Sequence, residues 1–135
     1  MTLHSERRWW KIKKNIKVLV VEPYKLPYEK EIKNDLHTKQ EIVEGYIEYT
    51  YLNDEEDVAL ICNEEGKYLG LPLNRDIGHD IIAGTFILVG DDGSGEDLSL
   101  TEKQIEKYKK RFDKESIEET DIAVSRIALA NSLNL

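Results

Sequence analysis

The stretch DIIAGTFILVG, Asp80–Gly90, is an almost continuous run of apolar residues. A second run, DVALIC at Asp57–Cys62, has the same character. A strand with one solvated face alternates apolar and polar residues, whereas runs like these are typical of strands covered on both faces. We therefore expect both runs to form strands in the middle of a sheet.

Two further segments have strand patterns. NIKVLVVEP is rich in β-branched residues and ends at Pro23, and YIEYTYL alternates with Ile47, Tyr49 and Tyr51 on one face. Together the patterns predict four strands, near 16–22, 46–52, 58–62 and 81–89.

Three helices follow from capping signals and apolar spacing. Asn34 or Asp35 caps a short helix over 35–44, and Thr101 stands three residues before Gln104 at the start of a helix over 101–112, as in a capping box. A third helix over 116–133 is apolar on more than one face, so it either lies deep in the domain or meets another copy.

These elements predict a single α+β domain with a central mixed β-sheet and about three helices. The predicted organisation is a basic, aromatic N-terminal arm at 1–15, a core domain at 16–112 and a C-terminal helix at 113–135. A length of 135 residues suits one domain, and no apolar run approaches the roughly 20 residues of a membrane helix. With no signal-like apolar region and one cysteine, Cys62, we expect a cytoplasmic protein with a buried thiol.

Charge is distributed unevenly along the chain. Residues 1–17 hold six cations against the single acid Glu6, a charge of +5, so the remaining residues carry −13 of the total of −8. An acidic body repels nucleic acid and attracts basic partners. The segment RRWWKIKK interleaves cations with two tryptophans, a pattern found in nucleic-acid-binding arms. We expect this segment to be a solvated leader; nucleic-acid binding by the arm is the less favoured alternative, and no other part of the chain is expected to bind nucleic acid.

The segment CNEEGK, Cys62–Lys67, lies between two strand-like runs and predicts a hairpin turn in which Gly66 takes a positive φ. Asn63 and the two glutamates after it also offer oxygen ligands for a metal. The chain has no spaced second set of ligands, so no metal site and no cofactor are expected.

The segment GLPLNRDIGHD, Gly70–Asp80, presents Asn74, Arg75, His79 and Asp80 together. Arg75 is suited to bind a phosphate or carboxylate, with Asn74 adding amide hydrogen bonds. The alternative is structural: Arg75 pairs with a nearby carboxylate such as Asp76 or Glu64, and His79 and Asp80 simply begin a strand.

Five segments of the chain, including CNEEGK followed by GLPLNR and the strand DIIAGTF, have the order and spacing of a known family. Over residues 16–112 the chain resembles the domain-of-unknown-function family 3846 of bacterial phages, plasmids and conjugative elements. The resemblance implies a small α+β domain with a mobile-element origin, and it implies no catalytic residues. The arm and the C-terminal helix lie outside it.

Three functions remain open. The first is a non-enzymatic, counter-defence type of binding protein that uses its acidic surface, including Glu55, Glu56 and Asp57, to mask a basic host protein complex. The second is a nucleotide sponge that holds a phosphate with Asn74 and Arg75 at an oligomer interface. The third is an enzyme of unknown class that uses His79 and Asp80, although the sequence contains no nucleophile motif.

Overall fold

The computed structural model describes residues 14–53 and 57–133, which form seven strands and three helices. In chain order the elements are β1 (Asn15–Val21), β2 (Tyr28–Lys33), α1 (Leu36–Val43), β3 (Ile47–Tyr51), β4 (Val58–Asn63), β5 (Leu73–Asp76), β6 (Ile81–Ala83), β7 (Phe86–Gly90), α2 (Glu102–Arg111) and α3 (Lys114–Leu133). The predicted α+β class is confirmed. The predicted arm at 1–15 lies almost wholly outside the described residues.

Five strands form the main sheet in the order β2-β1-β7-β4-β3, and every neighbouring pair is antiparallel. The prediction of a mixed sheet is therefore wrong. The expectation that the two apolar runs form strands covered on both faces is confirmed, because β4 and β7 are interior strands in which every residue is buried. Coverage of both faces, however, requires only that a layer packs on each side, and an antiparallel sheet meets that condition here.

The run at 81–89 is not one strand. Gly84 has a φ of 83°, and this left-handed residue breaks the run into β6 and β7. The first piece, β6, pairs with β5 in a separate two-stranded sheet, while β7 pairs with β1 and β4. Apolar periodicity does not reveal this break because both pieces are buried.

Each face of the main sheet has its own apolar core. On one face, Ile42 of α1 packs against a cluster of buried strand residues that includes Val18 and Ile61. On the other face, the core includes residues of α2, β6 and the sheet, and Phe86 of β7 meets Phe112 edge to face with ring centroids 5.4 Å apart. Two covered faces account for the apolar composition of the central strands.

The helix starts follow the predicted caps. Asp35 accepts a hydrogen bond from the Thr38 backbone N–H at 2.8 Å and caps α1. At α2 the capping box is complete: the Thr101 hydroxyl accepts from the Gln104 N–H at 3.2 Å, and the Gln104 side chain accepts from the Thr101 N–H at 2.9 Å. Both caps satisfy backbone donors that a helix start leaves free.

A buried ion pair joins α1 to the loop after β7. Lys39 and Asp97 form this pair, and the Tyr49 hydroxyl of β3 donates to the same carboxylate at 2.8 Å. Burial, together with the hydrogen bond to Asp97, raises the pKa of Tyr49. The cluster ties α1, β3 and the loop after β7 together through the carboxylate of Asp97.

The predicted hairpin at CNEEGK is wrong. β4 pairs with β3 and β7, and residues 64–70 instead form a series of turns leading to β5. Gly66 is not among the residues with positive φ; it is needed for close packing, since a Cβ on it would lie 2.6 Å from the Ala83 carbonyl oxygen.

The predicted C-terminal helix is present as α3. Its first half packs against β5, where Thr120 is buried and its hydroxyl accepts from the Asp76 N–H at 3.3 Å. Residues 125–132 are all exposed, so the helix does not lie deep in the domain. Among the described residues, no helix combines the length and apolar character needed to cross a membrane.

Candidate functional site

Asn74 and Arg75 of β5 lie in the interior, with exposed fractions of 2% and 0%. The Asn74 side chain donates to the carbonyls of Val21 and Gly84 at 2.8 and 2.9 Å. Its own oxygen accepts from Arg75 Nη1 at 2.8 Å. The pair therefore holds the small sheet against the main one, and neither side chain faces solvent.

The Arg75 guanidinium is satisfied by neutral acceptors. Nη2 donates to the carbonyls of Lys25 and Phe112 at 2.7 and 3.1 Å, and Nε donates to Ser116 Oγ at 2.9 Å. Burial lowers the pKa of Arg75, while the nearby Asp113 opposes that shift. Within the part of the chain that the structure describes, Arg75 has no ion-pair partner, so its predicted pairing with Asp76 or Glu64 is wrong.

The remaining predicted residues do not form one site. Asn63 and Asp80 come together beside a cleft, and His79 is exposed on the turn before β6. Asp57 is exposed at the start of β4, about 20 Å from Asn63 at its other end, given the rise of a strand. Glu55 and Glu56 lie outside the described residues.

The cleft has a volume of about 300 Å³ and lies between the ends of β3 and β4, the turns that follow β4, and β6. Its apolar floor comes from Cys62 and the three residues of β6, Ile81–Ala83. Its polar lining consists of Glu48, Asn63, Glu64, Glu65, Lys67, Tyr68 and Asp80. We call this feature the acidic cleft.

Asn63 shapes the cleft through backbone contacts. Its Nδ2 donates to the carbonyls of Val43 and Glu44 at 3.0 and 3.2 Å, and its Oδ1 accepts from the Glu65 N–H at 2.7 Å. These bonds join the end of α1 to the turn that carries Glu64 and Glu65. Asn63 is thus a positioning residue, and its side chain is already occupied by hydrogen bonds.

Negative charge dominates the acidic cleft. Lys67, its one cation, forms an ion pair with Asp80, and the hydrogen bond from Lys67 holds the pKa of Asp80 below its ordinary range. The other three carboxylates, those of Glu48, Glu64 and Glu65, make no ion pair with any residue in 14–53 or 57–133. The cleft therefore attracts cations.

Cys62 borders the cleft as a protonated thiol. Burial first, and the Glu48 carboxylate second, raise the pKa of Cys62 to about 11. The thiolate required for nucleophilic attack is therefore scarce at neutral pH. The described residues also contain no group of three or more histidine, cysteine or acidic side chains placed to hold a metal ion.

Sequence patterns did not identify Glu48 or Lys67 as site residues. Glu48 lies directly opposite Cys62 in the register of β3 and β4, on the face that turns toward the cleft. Lys67 lies in the segment for which the sequence predicts a hairpin turn. The alternation in β3 already placed Glu48 away from Ile47 and Tyr49, but only the pairing register shows which residue it faces.

A family model described as a domain of unknown function, DUF3846, matches residues 16–113. The chain belongs to the DUF3846 family. The match runs from β1 to the residue before α3, so it includes the acidic cleft and Arg75, whereas α3 and the N-terminal arm lie outside the family domain. No curated protein and no solved structure matches the chain.

Proposed function

We propose that this DUF3846 protein is a non-enzymatic binding protein that receives a basic segment of a partner protein in the acidic cleft. The observation that supports this function is the set of three carboxylates, Glu48, Glu64 and Glu65, that surround an apolar floor without a cation to neutralise them. A lysine or arginine side chain matches such a cleft, because its aliphatic stem covers apolar surface while its charged end meets carboxylates.

Tyr68 adds to this chemistry. Its side chain is 90% exposed at the border of the cleft, although large aromatic rings are usually at least partly covered. The face of an exposed tyrosine ring attracts an arginine or lysine cation. We therefore assign Tyr68 a contact with the incoming basic side chain.

The partner is proposed to be a host protein complex with a basic surface, in the cytoplasm of a bacterium that carries a mobile element. The support is the acidic body of the chain, with −13 beyond residue 17. A field of this sign speeds encounter with a basic surface at low salt and weakens as the Debye length falls from about 10 Å at 0.1 M to about 3 Å at 1 M.

The test uses a fluorescent lysine-rich peptide as the probe and measures its binding by anisotropy over a salt series. The triple variant Glu48→Gln, Glu64→Gln, Glu65→Gln is expected to bind about tenfold more weakly, because each exposed ion pair contributes about 0.2–1 kcal/mol. The same peptide with glutamate in place of lysine should not bind.

The matched control removes the same number of charges elsewhere. Glu115, Glu118 and Glu119 are exposed on α3, and their change to glutamine should leave peptide binding within about twofold of the wild-type value. Equal weakening by both triple variants would show that net charge alone attracts the peptide and would contradict a site in the cleft.

Peptide binding is also measured for a variant in which Glu55, Glu56 and Asp57, the predicted acidic cluster, are all replaced by neutral residues. If that variant loses peptide binding while the cleft variant retains it, the binding surface is at the start of β4 and not at the cleft.

A further inference from the structure

Strand β3 forms one edge of the main sheet as the structure describes it, with β4 beside it. The Glu64 N–H donates to the Tyr46 carbonyl at 2.8 Å, just before the first paired residue of β3. Along an antiparallel ladder, hydrogen-bonded pairs alternate with non-hydrogen-bonded pairs. The residues of β3 whose backbone groups bond to β4 are therefore Glu48 and Thr50.

The backbone groups of the other three residues of β3, Ile47, Tyr49 and Tyr51, point away from β4. The far side of β4 gives the same assignment. There the Asp91 N–H donates to the Asp57 carbonyl at 2.9 Å, so the odd-numbered residues of β4 bond to β7 and its even-numbered residues bond to β3. Within 14–53 and 57–133, no strand lies beyond β3, and no hydrogen bond from a loop or side chain reaches these outward groups.

The other edge strand, β2, is protected by charge. Four of its six residues are charged, and charges on an edge strand oppose pairing with another chain. Strand β3 has one charged residue in five, Glu48, while Tyr49 and Tyr51 are 44% and 51% exposed. Aromatic residues favour strand pairing. Of the two edges, β3 is therefore the one suited to accept a further strand.

We propose that an extended basic segment of the partner protein adds to β3 as an antiparallel strand. This mode of binding rests on the proposed function and specifies how the basic segment lies. Glu48 favours a basic residue in that segment, because its carboxylate makes no ion pair with the described residues and belongs both to this edge and to the acidic cleft. A second copy suits the edge less well, since each copy has a net charge of −8.

The ladder also sets the side-chain pattern of the added strand. On the open side of β3, Ile47, Tyr49 and Tyr51 form the hydrogen-bonded pairs, so Glu48 lies in a non-hydrogen-bonded pair, in which side chains are closer. A lysine or arginine opposite Glu48 meets its carboxylate on the face of the cleft. Residues opposite the two tyrosines lie on the other face, where β-branched side chains pair well with aromatic rings. The segment therefore alternates apolar and polar residues, with its basic residue opposite Glu48.

The test measures amide hydrogen exchange of the full chain by NMR, with a peptide whose central sequence is Val-Thr-Val-Lys-Val. In the free protein the amides of Glu48 and Thr50 should be protected, and those of Ile47, Tyr49 and Tyr51 should exchange faster. Saturating peptide is expected to slow exchange at these three outward amides at least about tenfold. Unchanged exchange while the peptide is bound would overturn strand addition and leave the proposed binding in the cleft intact.

Two N-methylated versions of the peptide provide matched controls. Methyl groups on the second and third valines remove two donors that face β3, and should weaken binding at least about tenfold in the anisotropy assay. Methyl groups on the threonine and lysine point away from β3 and should change binding by less than about threefold. Equal binding of the two versions would overturn strand addition.

Two further outcomes have distinct meanings. A peptide that fails to bind in any form would overturn both strand addition and the proposed function. Protection of the same three amides in the free protein, rising with its concentration, would assign the edge to a second copy and overturn its assignment to a basic partner strand.

Discussion

Replacing Arg75 with alanine should strongly destabilise the fold. Its guanidinium makes three hydrogen bonds beyond β5, to the carbonyls of Lys25 and Phe112 and to the hydroxyl of Ser116. A buried acceptor that loses its donor costs about 1–3 kcal/mol. The lower part of this range applies here, because removing the cation also removes the cost of keeping it away from water.

Three acceptors at about 1–1.5 kcal/mol each give an expected loss of about 3–5 kcal/mol. A domain of this size is stable by only about 5–15 kcal/mol, so the loss is a large share of the total. Urea unfolding followed by circular dichroism measures it. Arg75→Lys should lose less, since one ammonium can donate to some of the same acceptors but lacks the planar fork.

The matched control is Lys110→Ala, at an exposed cation of α2 whose removal should change the free energy of unfolding by less than about 0.5 kcal/mol. If Arg75→Ala costs less than about 1 kcal/mol, the guanidinium does not join these elements and its assignment as a structural residue is refuted.

Other expected outcomes concern local packing, ionisation and capping. Gly66→Ala should reduce the free energy of unfolding by about 1–3 kcal/mol, because the new Cβ would lie 2.6 Å from the Ala83 carbonyl oxygen. A lower urea midpoint measures this loss. The pKa of Tyr49 is higher in the folded state than its ordinary value of 10.0. This difference stabilises the fold fully at pH values below 10, and the stabilisation is lost as the pH rises through the folded-state pKa. Tyr49→Phe should therefore flatten the decline in thermal midpoint above about pH 10, and an unchanged decline would exclude this role. Thr101→Ala should cost about 1 kcal/mol in the same urea assay through loss of the capping box.

Sequence patterns predicted elements well where local chemistry determines them. The capping residues of α1 and α2 fixed two helix starts, and the apolar runs placed β4 and β7 at the centre of the sheet. Strand β5 was missed because its four residues, Leu73–Asp76, include two buried polar side chains whose partners are distant in sequence. Strand direction also depends on distant pairing, which is why the mixed sheet was predicted wrongly.

The candidate site was less predictable than the fold. Asp80 and Asn63 were identified from their segment, yet Glu48 joins them only through the register of β3 against β4. Arginine is a residue type typical of anion-binding sites, but Arg75 is buried and its hydrogen bonds hold elements of the domain together. Burial distinguishes those two roles, and a single sequence does not show the burial of one polar residue among turn-forming neighbours.

The position of β7 affects how the chain acquires its structure during synthesis. Strands β1 and β2 form one antiparallel pair, and β3 and β4 form another. Strand β7 lies between these two pairs and joins β1 to β4. β7 is also the last of the seven strands to leave the ribosome. Until then the inner edges of both pairs stay unpaired, and such edges promote aggregation. Slow translation after β4 has emerged from the ribosome and before β7 emerges should therefore lower the yield of soluble protein.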